Sequence, residues 1–283
     1  MTDTALTERV SARSSRVAGR LAQCQAEGRA ALIPFITAGD PTPEHTVSFM
    51  HALVRGGADI IELGLPFSDP MADGPTIQLA CERALAAGTT RLRVLDMVRQ
   101  FREDDATTPV VLMGYLNPML RTGAEAFAQQ ARVAGVDGVL AVDLAVEEAE
   151  ALQPVLAAEG LDCIFLVAPT TSLARAAKMN AVGSGYLYYV SLKGVTGSAA
   201  LDTDDVAQRL EQLRTVVDLP IAVGFGIRTP DHVARMAALA EGVVVGSALV
   251  ERIAAGGARP HELPDVLQAA MAELHAGVSG VVA

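Results

Sequence analysis

Asp59-Ile60-Ile61-Glu62-Leu63-Gly64-Leu65, followed by Pro66-Phe67-Ser68-Asp69-Pro70-Met71-Ala72-Asp73-Gly74-Pro75, is the stretch on which the fold turns. Its first half is an apolar run of strand length that stops at Pro66, which predicts a β-strand feeding a loop. Glu62 interrupts that run. In a strand covered on both faces the side chains alternate, so Ile61, Leu63 and Leu65 share one face while Ile60, Glu62 and Gly64 share the other. Neither face is wet. A carboxyl group held there is paired, hydrogen-bonded or protonated, and such a group is suited to exchanging protons near neutral pH. Eleven residues on, Asp73 adds a second carboxylate in a loop stiffened by Pro66, Pro70 and Pro75. Taken alone, the two read equally well as structure: a buried Glu satisfied by backbone, and an Asp capping a helix that starts near Pro75.

Outward from this stretch the same pattern of apolar run and turn recurs. Strands are predicted over residues 30–37 before it, and over 110–115, 138–144, 162–168, 186–192, 221–226 and 242–245 after it. Amphipathic helical patterns separate them, two of them (77–86 and 91–102) in the unit that carries Glu62. A further pattern at 17–27 precedes the first strand and reads as a plug across one end. Eight alternations at intervals of roughly 25–35 residues predict an α/β fold, a (β/α)8 TIM barrel with an N-terminal capping helix and an extra short helix after strand 8. At 283 residues the chain suits one such domain, which typically takes about 250. We divide it into a flexible N-terminal extension (1–15), a single barrel domain (16–277) and a flexible C-terminal tail (278–283).

Composition narrows the chemistry. The net charge of −11, with no Lys/Arg run, argues against nucleic acid and against an anionic membrane as partners. A small phosphorylated substrate is compatible, because surface charges are screened beyond about 8 Å at physiological salt. Cys24, Cys81 and Cys163 are widely spaced, as reduced thiols of a cytoplasmic protein are, and no segment resembles a signal peptide or a membrane span. Lys178 and Lys193 are the two lysines, and neither is predicted inside a strand, which disfavours a Schiff-base aldolase. No pair of histidines shares a strand end with a carboxylate, so no metal site is expected.

In a barrel of this kind functional groups sit at the carboxyl ends of the strands. Glu62, Asp73, Asn117, Asp143 and Tyr188 obey that rule. So do three glycine-bearing segments: Gly194-Val195-Thr196-Gly197-Ser198, Gly224-Phe225-Gly226-Ile227 and Gly246-Ser247, the last opening directly into a short helix. Main-chain N–H groups in such a setting bind a dianion without lysine. What remains is carboxylate acid–base chemistry on a phosphorylated ligand. A carbon–carbon bond cut here needs a substrate that supplies its own electron sink.

The run 62–70 with 72–78, together with Pro34-Phe35-Ile36-Thr37-Ala38-Gly39-Asp40-Pro41, Leu112-Met113-Gly114-Tyr115-Leu116-Asn117-Pro118, the segment 188–197, Val223-Gly224-Phe225-Gly226-Ile227 and Gly246-Ser247-Ala248, resembles the tryptophan synthase alpha chain family. Ala145 stands where the family often has proline. The resemblance implies reversible retro-aldol cleavage of indole-3-glycerol phosphate to indole and glyceraldehyde 3-phosphate, without a cofactor in this chain. It implies Glu62, Asp73 and Tyr188 as catalytic residues, and Phe35, Gly197, Gly226, Gly246 and Ser247 as substrate contacts. Residues 192–201 would form a lid. Asp69 and Asn117 would face a separate beta chain carrying pyridoxal phosphate, in an alpha2beta2 tetramer. Two alternatives stay open at this point: a stand-alone lyase that releases free indole, and a non-catalytic subunit that binds the phosphorylated ligand to regulate a partner.

Overall fold

Among the residues that the computed structural model describes, 15–191, 203–224 and 226–279, eight parallel strands close on themselves in chain order. They are β1 (Ala31–Thr37), β2 (Ile61–Gly64), β3 (Val110–Gly114), β4 (Gly138–Ala141), β5 (Asp162–Val167), β6 (Leu187–Val190), β7 (Ile221–Gly224) and β8 (Gly242–Val245). Pairing of Ala31 with Gly242 and of Pro34 with Val245 joins β8 to β1 and completes the ring. Closure leaves no strand edge exposed.

Two packed clusters follow from the two faces of each strand. Inside the ring lie Ile33 and Phe35 of β1, Ile60 beside β2, Val111 of β3, Leu140 of β4, Ile164 of β5, Tyr188 of β6, Ala222 of β7 and Val244 of β8. The alternate residues, among them Ile61, Leu63, Leu112, Leu187, Tyr189 and Val223, pack outward beneath the helices. The period-2 alternation thus assigns each strand residue to one of two dry environments.

One end of the ring is stoppered. Helix α1 (Arg16–Ala26) inserts Val17, Leu21 and Cys24 into the inner cluster. Aspartates near the amino ends of the strands hold this end. Asp59 takes a two-pronged bond from Arg29 at 2.7 and 2.9 Å and the Leu32 N–H at 2.9 Å. Asp137 takes Arg16 and Arg102, both at 2.7 Å, and the Val110 N–H. Asp162 accepts from Ser15.

The expected (β/α)8 TIM barrel with an N-terminal capping helix and an extra short helix after strand 8 is corrected by the structure to a closed eight-stranded parallel β-barrel with uneven crossovers. A 3-10 turn (Pro43–His45) and α2 (Thr46–Arg55) join β1 to β2, whereas α3 (Pro75–Ala86) and α4 (Arg91–Asp104) both lie between β2 and β3. Gly88, at φ 80°, and the Thr90 cap on Arg93 N–H break that segment in two. Helices α5 (Leu116–Leu120) and α6 (Ala124–Ala134) likewise share the β3–β4 crossover, divided at Gly123 with φ 92°. Among the described residues, single helices α7 (Val146–Ala158), α8 (Leu173–Val182), α9 (Thr203–Arg214) and α10 (Pro230–Ala237) serve the next four. After β8 come α11 (Ser247–Gly256), ten residues long, and the closing α12 (Leu263–Ser279). The expected extension 1–15, apart from Ser15, and the last part of the expected tail, 280–283, lie outside the described residues. No described helix is long and apolar enough to cross a membrane.

Candidate active site

At the open end, β2 places Glu62 beside Phe35 of β1 and Val111 of β3. Its side chain points into the ring and is fully buried. The Tyr186 hydroxyl reaches across the barrel and donates to Glu62 Oε1 at 2.5 Å. Glu62 Oε2 has no hydrogen-bond partner among the described residues. Burial, only partly offset by the Tyr186 hydrogen bond, pushes the Glu62 carboxyl up to about 8. The group is therefore a neutral acid at pH 7, with one oxygen anchored by Tyr186 and the other buried without a hydrogen-bond partner among the described residues.

Asp73 reaches the same space from its loop. The Tyr115 hydroxyl, just past β3, donates to Asp73 Oδ2 at 3.1 Å and accepts the Ala72 N–H at 2.9 Å. Phe67 packs against the Tyr115 ring at 5.2 Å, and Gln78 binds the Asp73 carbonyl at 2.8 Å. Burial raises the Asp73 carboxyl, with the Tyr115 bond opposing. Asp73 does not cap α3; the residue at that position is Gly74, which makes no side-chain bond.

Tyr188, on the inner face of β6, is buried at 4% exposure. Its hydroxyl is held protonated first by burial and then by the charges of Glu62 and Asp73, so both carboxyls lie within electrostatic reach of it. A Cβ at Gly224 would fall 1.9 Å from the Tyr188 oxygen, so a side chain at that point of β7 requires the tyrosine to shift. Phe35 sits between the exits of β2 and β8: its ring occupies the space that a Cβ on Gly64 would need, and a Cβ on Gly246 would stand 3.5 Å from it.

The last two exits lie open. Gly226 is exposed, at φ 74°, with no described atom within 4 Å of where a Cβ would stand. Gly246 caps α11, and Ser247, its first residue, is exposed. The first-turn N–H groups of such a helix lack intrahelical acceptors and attract anions. Gly197 and the expected lid at 192–201 lie outside the described residues. Asp69 and Asn117 are not drawn into the cavity. Asp69 is exposed and braces its own loop through Ser68 at 2.5 Å, and Asn117 is exposed on α5. Asp143 accepts the Leu116 N–H at 2.9 Å, holding the start of α5.

Sequence reasoning assigns no role to Tyr186 or Tyr115. For Tyr186 a signal exists, since strand alternation puts it on the same face as Tyr188. For Tyr115 there is none, because its partner depends on how the Asp73 loop folds back.

The model of the family described as tryptophan synthase alpha chain matches residues 21–279. The chain belongs to this family. It is 56% identical over 267 residues to the tryptophan synthase alpha chain of Alkalilimnicola ehrlichii, a match that covers 94% of this chain and 97% of that one. Among solved structures, tryptophan synthase subunit alpha from Legionella pneumophila superposes with a TM-score of 0.88 at 44% identity, covering 95% of this chain and all of that one. A chain of tryptophan synthase from M. tuberculosis gives 0.84 at 37% identity, covering 94% and 99%. As a tryptophan synthase alpha chain, the protein is a carbon–carbon lyase of tryptophan biosynthesis that cleaves indole-3-glycerol phosphate.

Proposed function

We propose that Glu62, Asp73 and Tyr188 carry this cleavage, with Glu62 moving the protons. Neutral Glu62 protonates the indole ring at C3, and the ring nitrogen takes up the positive charge as an iminium-like sink. The carboxylate left behind removes the proton of the C3′ hydroxyl while the C3–C3′ bond breaks. Indole and glyceraldehyde 3-phosphate leave, and Glu62 ends protonated as it began. Asp73 accepts the indole N–H and stabilises the charge that develops there. Tyr188 orients the site beside both carboxyls. Phe35 packs on the indole, and Gly197, Gly226, Gly246 and Ser247 hold the phosphate at the amino end of α11.

The observation that carries this reading is the state of Glu62: fully buried, tethered through one oxygen, unpartnered through the other and pushed up to about 8. Glu62→Gln keeps the tether but has no proton to give, so indole release from indole-3-glycerol phosphate should be lost. Cleavage by that variant at the wild-type rate would refute the assignment.

We further assign Asp69 and Asn117, with Met71 (89% exposed), to the surface that meets a beta chain containing pyridoxal phosphate in a cytoplasmic alpha2beta2 assembly. All three follow β2 or β3 at the open end. Indole release should rise when beta chain is added. Equal rates with and without it would favour a stand-alone lyase.

A further inference from the structure

Glu251 lies on α11, one turn beyond Gly246 and Ser247. Its carboxylate binds two segments outside its own helix. Arg228, two residues past Gly226, donates through both terminal nitrogens, one of them at 3.0 Å from Glu251 Oε1. Thr76, three residues past Asp73 and in the first turn of α3, donates to the same oxygen at 3.5 Å. The helices also meet through their apolar sides: Ala80 of α3 and Val250 of α11 are buried in the cluster that holds Phe35, with Ile77 packed against it. One carboxylate therefore joins the exit of β7, the helix after β8 and the helix after the Asp73 loop. The Arg228 and Glu251 side chains are 49% and 41% exposed, and ion pairs that exposed add little to stability. What this one fixes is relative position.

We infer that Glu251 is a positioning residue through which a phosphate bound at Gly226, Gly246 and Ser247 sets the placement of Asp73. The inference rests on the phosphate placement above. A dianion drawn onto the start of α11 and the Gly226 turn fixes those two segments against each other. Glu251, held by Arg228 on one of them and rooted in the other, transmits that fixed arrangement through Thr76 to the base of the Asp73 loop. Binding energy from the non-reacting end of the substrate is thereby used where charge develops, which raises turnover as well as affinity.

The test splits the substrate in two. Condensation of indole with glyceraldehyde, which lacks the phosphate, is measured with and without inorganic phosphate. The affinity for inorganic phosphate is measured separately, from its competitive inhibition of indole-3-glycerol phosphate cleavage. In the wild-type chain inorganic phosphate should stimulate the condensation. In Glu251→Ala and in Thr76→Val, which cuts only the link to α3, that stimulation should fall about three- to fivefold, as expected for one partly exposed polar link. Phosphate affinity in Thr76→Val should stay within about twofold, and Glu251→Asp should recover part of the stimulation. Equal stimulation in wild type and Thr76→Val overturns the inference, as does a wild-type chain that binds phosphate without being stimulated; both leave the phosphate site standing. Failure of inorganic phosphate to compete with substrate in the wild type overturns the phosphate site, and the inference with it.

Discussion

Glu62 combines a function with a cost in stability, and pH separates them. Its carboxyl titrates at an ordinary 4.5 when exposed and at about 8 in the fold. Between those values the folded chain keeps a proton that the unfolded chain has lost, so this residue's contribution to stability falls as pH rises from 4.5 to 8, then levels off. Glu62→Gln removes the titration. Its unfolding free energy, measured against wild type by urea denaturation, should gain on the wild type by a few kcal/mol between pH 4.5 and pH 8.5, because each pH unit in that window is worth about 1.4 kcal/mol. A difference that stays flat over that range would mean that Glu62 is already ionised in the fold. The same acid governs turnover: kcat/KM should decline above about pH 8, as Glu62 loses the proton it must donate. Tyr186 tunes that limit, since its hydrogen bond favours the charged form of Glu62. Tyr186→Phe should move the alkaline limb to higher pH and leave a buried oxygen unpaired, a loss of about 1–3 kcal/mol. An unmoved limb would show that another group sets it.

At the scale of elements, the catalytic groups depend on what neighbouring strands leave out. Gly224 of β7 lacks the Cβ that would stand 1.9 Å from the Tyr188 hydroxyl, so Gly224→Ala forces the tyrosine ring or the strand to move. We expect it to lower kcat more than it raises KM and to cost about 1–3 kcal/mol of stability, as overpacking does; wild-type turnover in that variant would remove Tyr188 from the chemistry. The strands themselves were readable because each is an apolar run ended by glycine, proline or a polar turn, and alternation alone aimed Glu62 away from Ile61 and Leu63. Among the helices, α5 was not readable. Pro118 looks like a breaker, yet it stands in the first turn of α5, where its missing N–H is not needed. Nor did local pattern disclose Tyr115 or the Arg228–Glu251–Thr76 contacts. Each joins residues far apart in sequence, and each exists only because ring closure fixes which loops become neighbours.

Across the whole molecule, the two ends of the barrel divide the work. At the open end Glu62 and Asp73 have no cation partner among the described residues, an arrangement poor for stability and suited to proton transfer. The stoppered end does the reverse, pairing each buried aspartate with arginine, hydroxyl or backbone donors. Asp137 is the junction there: it holds Arg16 of α1, Arg102 of α4 and the start of β3 at once. Asp137→Ala takes the carboxylate from Arg102, which keeps the carbonyls of Gly135, Asp105 and Thr108, and leaves α1 without the Arg16 tie, so it should cost about 1–3 kcal/mol. Because the hydrogen bonds of Asp137 run to Arg16, Arg102 and the Val110 N–H and not to Glu62, Asp73 or Tyr188, turnover per folded molecule should stay near wild type at a temperature where the variant remains folded. Hydrogen exchange should show protection falling first in α1, since that helix depends on Arg16 and Ser15 for its polar anchorage. Loss of turnover in step with lost protection in α1, while the rest of the barrel keeps its protection, would mean that the two ends are not independent and that the plug helps to shape the cavity.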